Sequence, residues 1–488
     1  MSVIVAIDAG TTGVRALAVD EEGRPAGWSY RELTQHYPRP GWVEHDPEEI
    51  WTAVQATLAE LRAALDVPVA AIGITNQRET VVAWDRRSGR PLHRAIVWQD
   101  RRTAERCGRM EDEGHLDLVR RATGLVLDPY FSASKLAWLL TEGRVSPGPR
   151  LALGTVDSWI LWKLTEGRTF ATDPSNASRT MLYDIRHGGW STELCDLFRI
   201  PMFALADVRR TSGRLGVTAA IPDLRGVPVS AVAGDQQAAL FGQACLEPGM
   251  AKNTYGTGSF VLMNVGDRCP EPAEGLLTTI AWALPGTAPV YALEGSIFAT
   301  GAAVTWLRDG LGIIESPADI GPLAESVRDS GGVAFVPAFS GLGSPWWDPD
   351  ARGTIVGLTR GSGRAQLARA AVEAMAHQTR DVVDAMTAAT GRTVTELRVD
   401  GGASVLDLLL QIQADQLRVP VARPVVRETT ALGAAFLAGL AEGVWSSPEE
   451  VAGLWRRDAE FLPRAPRSVV DSRHATWHRA VERSRAWA

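Results

Sequence analysis

The sequence predicts an α/β fold in two domains laid out on a related plan. Three observations carry this. The chain has 488 residues, more than one hydrophobic core organises, so two or more domains are expected. Strand signals alternate with helical ones, the pattern of sheets covered by helices on both faces. One arrangement also occurs twice: a strand, a turn with a Gly-Thr pair, and a returning strand, first within Val3 to Asp20 and again from Asn253 to Met263.

The apolar run Val3 to Asp8 predicts a strand, Ala9-Gly10-Thr11-Thr12-Gly13 a turn, and Val14 to Asp20 the strand that returns. Asp46-Pro47 opens a helix over Glu48 to Leu65, with Ile50, Ala53, Val54, Leu58 and Leu61 on one stripe. Ala71 to Ile74 predicts a buried strand that delivers Asn76-Gln77-Arg78-Glu79-Thr80 at its end. Val229 to Val232 is another such strand, followed by Asp235 at the start of a helix. Leu246-Glu247-Pro248-Gly249 breaks that helix and sets the domain boundary, 1–245 and 246–488. Leu367, Ala371, Met375, Val382 and Met386 mark a long amphipathic helix. Leu397 to Val399 is a short strand entering the turn Asp400-Gly401-Gly402-Ala403. Asp407 to Arg418 is helical, and the Ala- and Gly-rich Gly433 to Leu440 predicts a closely packed helix. Beyond about Pro448 the chain reads as a peripheral helical tail.

Composition narrows the function. The chain is 45% hydrophobic and 22% charged with net charge −7, and no basic stripe suggests a nucleic-acid partner. Its three lysines, Lys135, Lys163 and Lys252, read as GC-rich codon usage. Cys107, Cys195, Cys245 and Cys269 are scattered without C-x-x-C spacing, which fits reduced thiols in a cytoplasm. The eight histidines show no clustering along the sequence. No apolar run approaches a membrane span, so no membrane insertion is expected.

Neither a P-loop nor the protein-kinase motifs occur. What remains for phosphate is the pair of Gly-Thr turns and the Asp-Gly-Gly-Ala turn, where backbone N–H groups and threonine hydroxyls can approach oxyanions. Asp8, ending the strand before the first turn, is placed to hold Mg²⁺. Arg78 and Glu79 put a fork of donors beside a two-oxygen acceptor, suited to a ligand of hydroxyl groups; the alternative is a surface turn with a chance ion pair. Asp235 is either a helix cap or a general base aimed into a cleft, with Gln236 beside it for a second hydroxyl.

These residues resemble the FGGY carbohydrate kinase family, and within it the members that act on glycerol. The resemblance runs from about Val3 to Trp445 through Asp8 to Thr12, Pro40 to Asp46, Asn76 to Thr80, Ala95 to Gln99, Asp128 to Ser132, Asn176 to Leu182, Gly234 to Gly242, Tyr255 to Gly258, Val399 to Ala403 and Thr430 to Ala435. It implies two ribonuclease-H-like, actin-like ATPase domains around a central catalytic cleft, transfer of the ATP γ-phosphoryl group to glycerol with Mg²⁺, and a homo-oligomer, dimer or tetramer. By position, Arg78, Glu79, Trp98, Tyr130, Asp235, Gln236 and Phe260 would line the glycerol site. Thr11, Thr12, Gly13, Arg15, Thr257, Gly301, Thr305, Gly402 and Leu406 would meet the nucleotide, and Asp8 and Asp235 the metal. Three departures stand out. Thr305 and Leu406 replace amide side chains common near the base, and Gly13 replaces a frequent serine, so one hydroxyl contact to phosphate is expected to be missing. Rival readings are a kinase for another small polyol or ketotriose, such as erythritol or dihydroxyacetone, and a non-catalytic actin-like nucleotide switch.

Overall fold

The computed structural model describes residues 2–488. In the first sheet, β1 (Val3–Ala9), β2 (Gly13–Val19) and β3 (Pro25–Glu32) form an antiparallel meander, and β4 (Val69–Asn76) runs parallel to β1. Of the two strands that complete it, β5 (Ser212–Val217) is the antiparallel edge and β6 (Pro228–Gly234) lies parallel to β4, giving the order β5-β6-β4-β1-β2-β3. The second sheet contains β7 (Met250–Tyr255), β8 (Ser259–Gly266), β9 (Leu277–Trp282), β10 (Val290–Ile297), β11 (Glu396–Gly401), β12 (Val421–Pro424) and β13 (Arg457–Phe461), in the order β9-β10-β8-β7-β11-β12-β13. Its meander β7-β8-β10 repeats β1-β2-β3, and parallel β11 and β12 stand where β4 and β6 stand. Antiparallel β13 matches β5. The ribonuclease-H-like plan is therefore present twice.

The surrounding helices include α1 (Pro47–Ala63), α2 (Asp235–Gly242), α3 (Gly301–Asp309), α4 (Arg364–Thr390), α5 (Asp407–Leu417), α6 (Thr429–Ala441) and α7 (Arg467–Ser484). Alternation along β1 decides which helix covers which face. Val3, Val5 and Ile7 pack with Ile50 and Val54 of α1. Ile4 and Ala6 pack with Ala434 and Leu437 of α6. So α6, late in the sequence, lies on the first sheet. It meets α2 backbone to backbone: a Cβ on Gly433 would sit 2.9 Å from the Gly242 nitrogen.

Two expectations need correction. The stretch after Pro448 is more than a helical tail, because β13 completes the second sheet. Its sequence, Arg-Asp-Ala-Glu-Phe, is polar because it is a solvent-facing edge, which hid it from a search for apolar runs. The histidines do gather in space: His474 and His478 of α7 meet Asp381 of α4, with the His377 ring stacked 5.7 Å from that of His474.

Candidate active site

The C-terminal ends of β1, β4 and β6 carry the first turn, the Asn76–Thr80 segment and Asp235. The ends of β7 and β11 carry the turns at 256–258 and 401–402. Ligands of α/β sheets gather at such ends, and the two sheets point theirs into one cleft.

Asn76 to Thr80 is not a surface turn, since these residues are 0–2% exposed. Glu79 takes φ 62°, a left-handed conformation that costs a non-glycine residue about 1–3 kcal/mol and persists only where surroundings enforce it. Here they do. The Glu79 Oε1 accepts from the Arg179 Nε at 2.7 Å. Arg78 donates twice to Glu294 of β10, at 2.6 and 3.1 Å, and its Nε lies 3.1 Å from the Asp235 Oδ1. Arg179 also donates to Glu294, at 2.9 Å. Gly234 makes the crossing possible, because a Cβ there would lie 2.8 Å from the Arg78 side chain.

The apolar wall is adjacent. Trp98 meets Tyr130 edge-on at 5.5 Å and Phe260 at 6.3 Å, and the Arg78 guanidinium lies 5.9 Å from the Phe260 ring centre. Tyr130 accepts from Arg78 at 3.2 Å. Arg78, Glu79, Trp98, Tyr130, Asp235 and Phe260 therefore form one cup, with donors and acceptors on one side and rings on the other. Gln236 is held at its edge, its side-chain oxygen accepting from the buried Lys252 ammonium. The Trp98 indole donates to the Thr11 hydroxyl at 2.9 Å, tying the cup to the first Gly-Thr turn.

Asp235 is the first residue of α2 and does not cap it; Gly234 holds the cap position. Its side chain is 28% exposed, open to the cleft. Burial raises its carboxyl above the ordinary value, while Arg78 and Lys252 pull it back. Burial, and then the nearby Asp235 charge, push Asp8 from 3.8 up to about 7, against Arg15. Two mutually repelling carboxylates are the hard oxygen donors that Mg²⁺ takes, so this pair fits the ion.

The nucleotide positions fall around the cleft in two groups. On the second sheet, Gly301 donates its N–H to the Gly256 carbonyl at 3.0 Å and would clash with it if it carried a Cβ. Thr257 receives the N–H groups of Thr300 and Ala302 on its carbonyl, and its side chain stays exposed. Gly401 takes φ 83° beside the Tyr255 backbone, placing Gly402 next to that turn. Thr305 is exposed one turn further along α3, and Leu406 is half-buried at the start of α5. On the first sheet, Thr12 and Gly13 close the turn, and Arg15 reaches Glu428, just before α6, at 3.4 Å. The space beside Gly13 is filled. A Cβ on Gly13 would collide with the Tyr30 hydroxyl and lie 2.5 Å from the Arg31 carbonyl, so the Tyr30 phenol occupies the space a serine would use.

Glu294, Arg179 and Lys252 escaped the sequence reading. A glutamate in the otherwise apolar Tyr291 to Ile297 strand was the available signal, since a buried charge needs partners.

Comparison with known proteins agrees with this geometry. Residues 3–242 match the N-terminal domain of the FGGY family of carbohydrate kinases, and residues 251–442 its C-terminal domain. The chain is 54% identical to the glycerol kinase of Dechloromonas aromatica, over 99% of this chain and 98% of that one. It is 54% identical to the glycerol kinase of Trichlorobacter lovleyi over the whole of both. Among solved structures it superposes on Plasmodium falciparum glycerol kinase with ADP at a TM-score of 0.94 and 35% identity, covering 99% and 98% of the two chains.

Proposed function

Because the chain belongs to the FGGY family of carbohydrate kinases, we propose that it transfers the γ-phosphoryl group of ATP to glycerol, giving sn-glycerol 3-phosphate and ADP. The carrying observation is the cup in which Arg78, Glu79 and Asp235 face Trp98, Tyr130 and Phe260. It offers alternating donors and acceptors to hydroxyls and a ring wall to a short carbon chain. Release of ADP, measured with glycerol, erythritol, dihydroxyacetone or no acceptor, tests it. Turnover should need an acceptor and favour glycerol. Equal turnover with all three, or none with any, overturns the assignment.

Phosphoryl transfer asks the protein for positioning and charge compensation more than covalent work. Arg78 and Glu79 hold two hydroxyls, and the third faces Asp235, which takes its proton as the oxygen attacks. Gln236, steadied by Lys252, bounds that end. The Gly-Thr turns, Arg15 and Gly402 hold the phosphates, and Thr305 and Leu406 border the base. When bound beside Asp8 and Asp235, Mg²⁺ neutralises phosphate charge. Domains of 1–245 and 246–488, closing on the cleft, would exclude competing water; the two-fold sheet plan supports this division. A cytoplasmic dimer or tetramer is part of the same reading, and sedimentation of the purified chain tests the oligomer. Among the described residues no helix is long and apolar enough to cross a membrane.

Three results are expected. The first concerns Asp8. A carboxyl raised in the folded state favours folding while protonated; that contribution is full below 3.8 and is lost as pH rises through about 7. Mg²⁺ binds the deprotonated form, so affinity should rise between pH 6 and 8. Calorimetric titration at three pH values measures this, and a flat profile would place the ion elsewhere. The second concerns Tyr30→Phe, which removes only a hydroxyl. It should raise the ATP KM about five- to tenfold, the worth of roughly 1 kcal/mol for one hydrogen bond, and leave the glycerol KM unchanged. An unchanged ATP KM removes Tyr30 from the phosphate site. The third concerns the base. Without amides at 305 and 406, fewer hydrogen bonds separate a 6-amino from a 6-oxo purine, so GTP or ITP should support turnover. An ATP preference above about 10⁴ in kcat/KM, typical of dedicated hydrogen bonding, would contradict this.

A further inference from the structure

Away from the cleft, α7 is fixed to α4 by an unusual constellation. His474 and His478 stand four residues apart on α7, so their rings share one face. Both aim Nε2 at one oxygen of Asp381, Oδ1, at 2.7 and 3.0 Å. The other oxygen, Oδ2, accepts from the Trp477 indole at 2.7 Å, which fixes the carboxylate plane and leaves Oδ1 to the histidines. The three ligand atoms lie within 4.8 Å of one another. The Asp381 side chain is 1% exposed and that of His474 10%, but that of His478 is 46% exposed, so the cluster opens to solvent on one side.

We propose that Asp381, His474 and His478 form a binding site for a zinc-class divalent cation that clamps α7 onto α4. Two imidazoles and one carboxylate are a donor set for Zn²⁺ and the later first-row ions, whereas Mg²⁺ prefers oxygen alone. The geometry is close to what such an ion requires. Metal–ligand bonds of 2.0–2.2 Å in tetrahedral array put neighbouring donors about 3.3–3.6 Å apart, so the two histidine nitrogens, now 2.7 and 3.0 Å from Asp381 Oδ1, would draw back by roughly half an ångström and close on each other from a separation of at most 4.8 Å. A ligating imidazole must offer the Nε2 lone pair, so the ion would take the place of the Nε2–H now directed at the carboxylate and leave each ring with its proton on Nδ1. The open side beside His478, 46% exposed, leaves a coordination position to water. The Trp477 indole supplies the outer contact that orients a ligating carboxylate.

The test is titration of the metal-free full-length chain, without nucleotide, with Co²⁺, whose visible absorption reports low-coordinate N and O ligation. One equivalent should give the bands, Zn²⁺ should abolish them, and excess Mg²⁺ should not. Zn²⁺ should also raise Tm, because the ion binds the folded form. His478→Ala, at a half-exposed position that leaves the fold intact, should weaken Co²⁺ binding at least tenfold and cancel the Tm rise. His187→Ala, at an exposed position in the first half of the chain, should change neither. Absence of the Co²⁺ bands, or titrations that His478→Ala leaves unchanged, overturns the proposal and leaves the cluster as a hydrogen-bonded strap. Because the readouts are metal binding and Tm, they stand apart from glycerol turnover.

Discussion

Replacing Asp235 by asparagine is expected to lower kcat roughly 10²–10⁴-fold, the usual worth of a positioned general base, with the protein still folded. Asparagine keeps the size of the side chain and an oxygen able to accept the Gln236 N–H, now received by Asp235 Oδ1 at 2.7 Å. Because Gly234 occupies the cap position, α2 loses no cap. What disappears is the proton acceptor that faces the cleft. A second consequence follows from charge alone. The Asp235 carboxylate is one reason Asp8 is raised to about 7, so the variant should bring Asp8 to a lower pKa and shift the pH dependence of Mg²⁺ binding downward. Steady-state rates at saturating glycerol and ATP, with thermal unfolding as the fold control, measure the first, and calorimetric Mg²⁺ titration across pH measures the second. A kcat within tenfold of the parent would reduce Asp235 to the opening residue of a helix.

Much of this arrangement was legible in the chain because its polar residues interrupt apolar strands. Asn76 to Thr80 follows a buried strand without a break, and so does Asp235. Each is read locally, and the fold brings both to the same cleft. Glu294 was harder to place because its meaning lies at long range: its partners Arg78 and Arg179 are 216 and 115 residues away. The lysines tell a similar story. Codon usage explains why they are few but not which survive. Lys252 and Lys135 are both fully buried at the cleft, and Lys135 donates to the carbonyls of Pro129, Tyr130 and Phe131 within 2.9 Å. A compact ammonium with three donors suits such a carbonyl nest, where a planar guanidinium does not. The cluster around Asp381 was missed because the α7 histidines lie 93 and 97 residues further along the chain, and only helix packing joins them.

Glu294→Ala is expected to destabilise the protein by about 3–5 kcal/mol, the cost of stripping one partner from a buried ion network. Glu294 belongs to the second sheet, yet both guanidiniums it binds come from the first half of the chain. Its removal leaves Arg78 and Arg179, both nearly inaccessible to water, without their shared counter-ion. The remaining acidic partners are Glu79 and Asp235, so Arg78 would be drawn toward Asp235 and the glycerol KM should rise along with the loss of stability. The pH dependence has a defined sign. Burial alone would raise the Glu294 carboxyl, but Arg179 and Arg78 outweigh it and hold it at about 2 rather than 4.5. A depressed carboxyl stabilises the fold above its unfolded value, and that contribution drains away as pH falls from about 4.5 toward 2. The parent should therefore lose stability over that acid range more steeply than Glu294→Gln, which cannot titrate. Denaturant unfolding at pH 7 and at pH 3 distinguishes the two. If Glu294→Ala unfolds within about 1 kcal/mol of the parent at pH 7, water must reach both arginines, and the network is then a local feature of the cup instead of the tie between the two sheets.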